Sequence, residues 1–242
     1  MQREYHKWWS KILERDMELL VFGHAGAKVL VFPTRGGRFH EFENMRLPEV
    51  LRDKITEGHL QFYCLDGIDA ETFYCWWAHP EGRIQRHLQY EKYILHEVFP
   101  FMNAKNGHPC VISFGCSLGA FQAANIAFRH PHLFQKLAAF SGRFDLTHSV
   151  EDFGNLFDGH YSDNVYFNTP THYLAKLECP QILDQLRQMD IVIVIGREDP
   201  FRDNNEHLSA ILNEKGISHQ LHHWDGRAHN GHFWRKMAPI YI

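Results

Sequence analysis

Long apolar runs are missing from this chain: no uncharged apolar stretch reaches the roughly 18 residues that a membrane-spanning helix needs. The opening segment from Met1 to Arg15 is crossed by Lys, Arg, Glu and His, so it lacks the apolar centre of a secretion signal. Together these absences predict a cytoplasmic protein with no membrane partner. Cysteine is scarce and odd in number, 5 in 242 residues. Three of Cys64, Cys75, Cys110, Cys116 and Cys179 lie in or beside apolar strand-like runs, which favours reduced packing residues over a disulfide framework. An excess of positive charge is also missing. The net charge is -4, the sequence pI is about 6.5 and no long block of one sign occurs, which argues against nucleic acid as a partner. With no internal repeat, low-complexity tract or break in composition, the chain reads as a single domain over 1–242, long enough for a sizeable core.

What is present is alternation of strand-length apolar runs with longer amphipathic segments. Met17 to Phe22 and Lys28 to Pro33 flank His24-Ala25-Gly26 and read as a hairpin at the sheet edge. That edge offers a surface where a second copy of the chain would pair, a route to a homo-oligomer. Pro48 is expected to open a helix with Val50, Leu51 and Ile55 on one face. Leu60 to Leu65 reads as a strand, and Ile84 to Met102 as one long helix with Ile94, Leu95 and Val98 inward. Cys110 to Phe114, Lys136 to Ser141, Ile191 to Ile195 and His219 to Trp224 supply further strands. The run before Gly196 is almost purely β-branched, as in a parallel strand covered on both faces. The pattern predicts an α/β class sandwich: a mostly parallel central sheet with antiparallel N-terminal strands and helices on both faces.

The most specific motif is Gly115-Cys116-Ser117-Leu118-Gly119, set between the strand-like Cys110 to Phe114 and a helix-like run from Leu118 to His130. A strand that turns sharply into a helix around a serine, with small residues on either side, is a nucleophile elbow. It lifts the serine Oγ above the sheet and aims the Leu118 N–H at the place where an oxyanion forms. The alternative for Ser117 is an ordinary helix cap. A serine nucleophile needs a base, and the base an orienting acid. Asp199 follows the Ile191 to Ile195 strand through Gly196-Arg197-Glu198, with Glu198 and Asp203 as competitors and a plain turn before Pro200 as the bland reading. His229 follows the last strand through Asp225-Gly226-Arg227-Ala228 and competes with His232, His222 and His223. The chain order Ser117, Asp199, His229 is that of an α/β-hydrolase triad. Clustering of His219, His222, His223, His229 and His232 raises a metal reading, but no His-Glu-x-x-His or Cys-x-x-Cys motif supports it, and no metal or cofactor is expected. The second oxyanion donor is expected from Phe32-Pro33-Thr34-Arg35-Gly36-Gly37, as the amide of Arg35 or Thr34, because Pro33 has none.

These residues resemble a family. The Gly-Cys-Ser-Leu-Gly elbow, Ser141-Gly142, Gly196-Arg197-Glu198-Asp199, and Trp224-Asp225-Gly226 with His229 and Phe233-Trp234-Arg235-Lys236-Met237 are similar to the Putative esterase family, which includes esterase D-like enzymes and the antigen 85 mycolyltransferases. The resemblance runs from about Lys28 to the C-terminus. It implies an α/β-hydrolase fold without a large lid, with Ser117, Asp199 and His229 as the triad and Arg35 and Leu118 at the oxyanion positions. Relatives often place an aromatic soon after the histidine, whereas Asn230 and Gly231 follow here.

The expected activity is that of a serine carboxylic ester hydrolase working through an acyl-enzyme on a small-molecule ester. An acyltransferase uses the same residue set, and a non-catalytic binding protein keeps the same fold. Gly36, Cys116, Trp76 and Trp77 are candidate substrate contacts, and 143–168, with Phe153, Phe157 and Tyr161, is a candidate small cap.

Overall fold

Eight strands form one sheet in the order β1-β2-β4-β3-β5-β6-β7-β8 in the computed structural model, which describes all residues Met1–Ile242. The strands are β1 (Arg3–Ser10), β2 (Arg15–Phe22), β3 (Ala27–Phe32), β4 (Leu60–Leu65), β5 (Val111–Cys116), β6 (Lys136–Phe140), β7 (Asp190–Gly196) and β8 (Gln220–Trp224). β1 and β2 are antiparallel to each other, and β2 is antiparallel to β4; every pairing from β4 through β8 is parallel. The expected α/β fold with a mixed start is the fold observed.

Side-chain alternation along each strand divides the core between the two faces of this sheet. Leu30 and Phe32 of β3 join one buried cluster, while Val29 and Val31 join the other. All residues of β4 and β5 are buried, as helices on both faces require. The chain moves from β3 outward to β4, then returns to place β5 on the other side of β3. The carboxyl ends of β3 and β5 therefore flank a topological switch point, where loops diverge and leave a crevice.

Three expectations are corrected. Met17 to Phe22 and Lys28 to Pro33 do not form a hairpin, because β4 pairs with β2 on one side and β3 on the other and so lies between them. The edge hairpin is β1 with β2, and β1 escaped notice because its aromatic and charged residues alternate with no apolar run. The long helix is interrupted: Pro80–Tyr93 passes into a π-type segment, Ile94–Val98, before Phe99–Lys105. Pro100 cannot donate to the carbonyl four residues back, and the wider turn accommodates that loss. Near Pro48 two short helices, Leu47–Val50 and Arg52–Thr56, replace one; Leu51 and Ile55 are buried, and Val50 is exposed. No helix is long and apolar enough to cross a membrane.

Candidate active site

The elbow forms because two glycines leave no room for anything larger. A Cβ on Gly115 would lie 2.1 Å from the carbonyl oxygen of Gly119, and one on Gly119 would lie 2.3 Å from that of Phe32. β5, β3 and the elbow helix Leu118–Arg129 thus touch backbone to backbone. Ser117 joins strand to helix at φ 54° and ψ -122°, a strained conformation for a residue with a side chain. Its N–H donates to Phe140 O at 2.8 Å, which ties the turn to β6. Its hydroxyl does not cap the helix. That oxygen is free for other chemistry.

His229 Nε2 lies 2.9 Å from Ser117 Oγ, and His229 Nδ1 lies 2.7 Å from Asp199 Oδ2. The Asp199 side chain is buried, and its other oxygen accepts the Phe201 N–H at 3.0 Å. With Asp199 accepting at both oxygens, the imidazole proton belongs on Nδ1 and the Nε2 lone pair faces the serine. Two positive-φ residues, Gly226 and Ala228, bend the chain from β8 back over the sheet edge so that His229 reaches the elbow. Gly196 permits this, since a Cβ there would meet Arg227 O at 2.1 Å. His232, by contrast, is exposed, and Glu198 and Asp203 are exposed beside Asp199. The histidine cluster disperses: His219 bonds Ser209, His222 bonds Gln220, and His223 pairs with Glu206.

The start of the elbow helix meets the start of the loop after β3, since a Cβ on Gly119 would also lie 2.7 Å from Pro33 O, and each of the two carries a backbone N–H without a partner. Leu118 is the first residue of its helix and finds no acceptor within it. In the loop after β3, the Thr34 N–H donates to Glu41 at 2.7 Å and the Gly36 N–H to Asp69 at 2.8 Å, whereas the Arg35 N–H donates to nothing. Of the two amides expected as second donor, Arg35 has the free N–H.

The candidate substrate contacts separate. Gly36 is exposed on the loop beside Arg35. Trp76 is half-exposed and edge-on to Tyr74, and the Arg35 guanidinium stacks over the Tyr74 ring at 4.2 Å, which connects this aromatic group to the crevice loop. Trp77 projects into solvent. Cys116 is buried in the core and lines a small cavity beneath the loop with Thr34 and Glu41; burial pushes its thiol well above the usual range. In 143–168, Phe157 packs with Leu118 and Phe121, Phe153 lies against Phe201, and Tyr161 is exposed. Arg143 is buried under this segment and donates to the carbonyls of His148 and Gly154, both at 2.7 Å.

Sequence reasoning missed the groups that brace the histidine. Ser141 Oγ donates to Ala228 O at 3.2 Å and accepts the Trp234 indole N–H at 3.1 Å. The rings of Trp234 and Phe201 lie 5.6 Å and 6.0 Å from that of His229. Ser141 and Trp234 sat in motifs already noticed, but nothing in their spacing reveals that they meet.

A sheet of this order, with a serine elbow after β5 and loops converging from β7 and β8, defines an α/β hydrolase. The family model described as "Putative esterase" matches residues 11–238, and the chain belongs to that family. Its class of activity is accordingly ester hydrolysis. No curated protein matches the chain. Among solved structures, a ferulic acid esterase superposes with a TM-score of 0.73 at 16% identity, covering 99% of this chain and 95% of that one. FphF, a fluorophosphonate-binding serine hydrolase of Staphylococcus aureus, gives 0.69 at 14%, covering 99% and 96%. The S-formylglutathione hydrolase FrmB of Staphylococcus aureus gives 0.65 at 16%, covering 99% and 94%. At these identities the likeness is one of fold.

Proposed function

We propose that this protein is a serine carboxylic ester hydrolase in which Ser117, His229 and Asp199 form the triad and the Leu118 and Arg35 amides form the oxyanion hole. The observation that carries this reading is the continuous hydrogen-bonded line Asp199–His229–Ser117; the Leu118 and Arg35 N–H groups, which have no other partner, are the donors it calls for. His229 Nε2 takes the Ser117 proton as Oγ bonds the ester carbonyl carbon. Negative charge collects on the carbonyl oxygen, and the two amides donate to it. Collapse breaks the bond to the leaving alcohol, which receives the proton from His229 and leaves the acyl group on Oγ. Water then attacks the acyl-enzyme with His229 again as base, and the acid departs as Ser117 regains its proton. Asp199 holds the imidazole in one tautomer and offsets the charge it gains. No step calls for a metal or cofactor. The substrate is a small-molecule ester that reaches the crevice beside Arg35, Tyr74 and Trp76.

The test is hydrolysis of p-nitrophenyl esters of increasing acyl length by the protein and by Ser117→Ala, with and without EDTA. We expect turnover that survives EDTA and disappears in the variant. Turnover retained by Ser117→Ala would remove the elbow from the mechanism.

A further inference from the structure

The loop after β3 is held by two carboxylates that the reaction does not use. Residues Thr34 to Gly37 make a tight turn, closed by the Gly37 N–H donating to Thr34 O at 2.9 Å, with Gly36 in the left-handed region at φ 70°. Each peptide of such a turn can rotate, and rotation would change the direction of the Arg35 N–H. The neighbouring peptides are fixed. Glu41 accepts both the N–H and the hydroxyl of Thr34. Its carboxylate also fills the space beside Gly37, where an added Cβ would lie 2.6 Å from Glu41 Oε2. Asp69, from the loop after β4, accepts the Gly36 N–H at 2.8 Å. Behind the turn, a Cβ on Gly67 would meet Gly37 O at 2.4 Å, so the two loops are in backbone contact.

We propose that Glu41 and Asp69 are positioning residues that lock the turn between them and so keep the Arg35 amide aimed at the oxyanion. The inference rests on the serine esterase reading above. Its physical basis is that a donor is worth most when its direction is set before charge develops, so that none of the gain is spent on turning it. Each carboxylate takes an N–H adjacent to Arg35, which leaves Arg35 as the one unpartnered amide between two engaged ones. Both carboxyls bear a burial cost, seen in the upward displacement of their pKa by desolvation. The Gly36 N–H, and less strongly the Arg35 guanidinium, pull Asp69 the other way, as do the Thr34 donors for Glu41. Asp69 is buried and Glu41 half-buried, neither forms a salt bridge, and the groups that compensate them are the loop amides and the Thr34 hydroxyl.

The experiment compares Glu41→Ala, Glu41→Gln, Asp69→Ala and Asp69→Asn with the unaltered protein on one p-nitrophenyl ester. It reads kcat and KM separately, together with amide exchange at Thr34, Arg35 and Gly36 by NMR. The alanine variants are expected to lose about tenfold or more in kcat, within the roughly 10²–10³ that a whole donor supplies, with KM held within about twofold. Glutamine and asparagine still accept a hydrogen bond and are expected to restore most of the loss. Binding of a trifluoromethyl ketone, whose serine adduct places an oxyanion in the hole, should weaken by the same factor as kcat. Slow exchange at Thr34 and Gly36, beside fast exchange at Arg35, is expected in the unaltered protein. Unchanged kcat in the alanine variants, a loss that the amide variants do not recover, or rapid exchange at Thr34 and Gly36 would each overturn the proposal. If the unaltered protein hydrolyses no ester, the esterase reading fails by itself, and the exchange pattern still decides whether the carboxylates hold the turn.

Discussion

Asp199 illustrates how much chemistry a single oxygen governs. Because its two carboxylate oxygens accept from Phe201 N–H and His229 Nδ1–H, Asp199→Asn would offer the imidazole a donor or a weaker acceptor. The favoured tautomer would then carry its proton toward Ser117. We expect kcat to fall by about 10⁴, the size of such a tautomer effect in a Ser-His-Asp triad, with the melting temperature little changed. His87 makes the opposite case, an ionisable group outside the reaction. It is buried, neither ring nitrogen has a hydrogen-bond partner, and burial lowers its pKa to about 4. A base depressed below its unfolded value contributes stability that is present above about pH 6.5 and lost as pH falls through 4, of order 3 kcal/mol in all. His87→Leu should flatten the stability profile between those limits. It should also raise stability near pH 8 by about 1 kcal/mol, through removal of two unpaired nitrogens. Denaturant titrations at pH 8, 6 and 4.5 read both effects.

Between elements, contact at the elbow is set by backbone. Gly119 brings the helix Leu118–Arg129 against the end of β3, at the start of the loop that carries the Arg35 amide. Gly119→Ala must push helix and strand apart. We expect a loss of roughly 1–3 kcal/mol, as for overpacked cores, and a fall in kcat larger than that loss of stability explains. Thermal melts and ester turnover on the same sample separate the two. The elbow was legible in the sequence because its chemistry is local: glycine, serine and glycine at fixed spacing between a strand and a helix. Asp199 and His229 were legible from their position after particular strands. Glu41, Asp69, Ser141 and Trp234 were not, because each acts through a partner brought near only by the fold, and a carboxylate bonded to a loop amide has no sequence period. The false hairpin has the same origin. Two apolar runs joined by a short turn look like neighbours, and only the arrival of β4 between them shows otherwise.

At the scale of the whole molecule, the groups of the proposed site come from the ends of β3, β5, β7 and β8, so no fragment short of most of the sheet assembles them. The strands that carry them differ in burial: β5 is buried throughout, whereas β8 lies at the sheet edge with none of its residues fully buried. His229 hangs from that edge strand. Function is therefore only as durable as the most weakly held strand, and partial opening of one margin disarms the protein while most of the sheet stays intact. In a urea titration, ester turnover should fall at a lower concentration than far-ultraviolet circular dichroism; coincident midpoints would mean that β8 unfolds with the rest. A protein built this way would carry its own gauge of integrity, because turnover is expected to stop before the molecule comes apart.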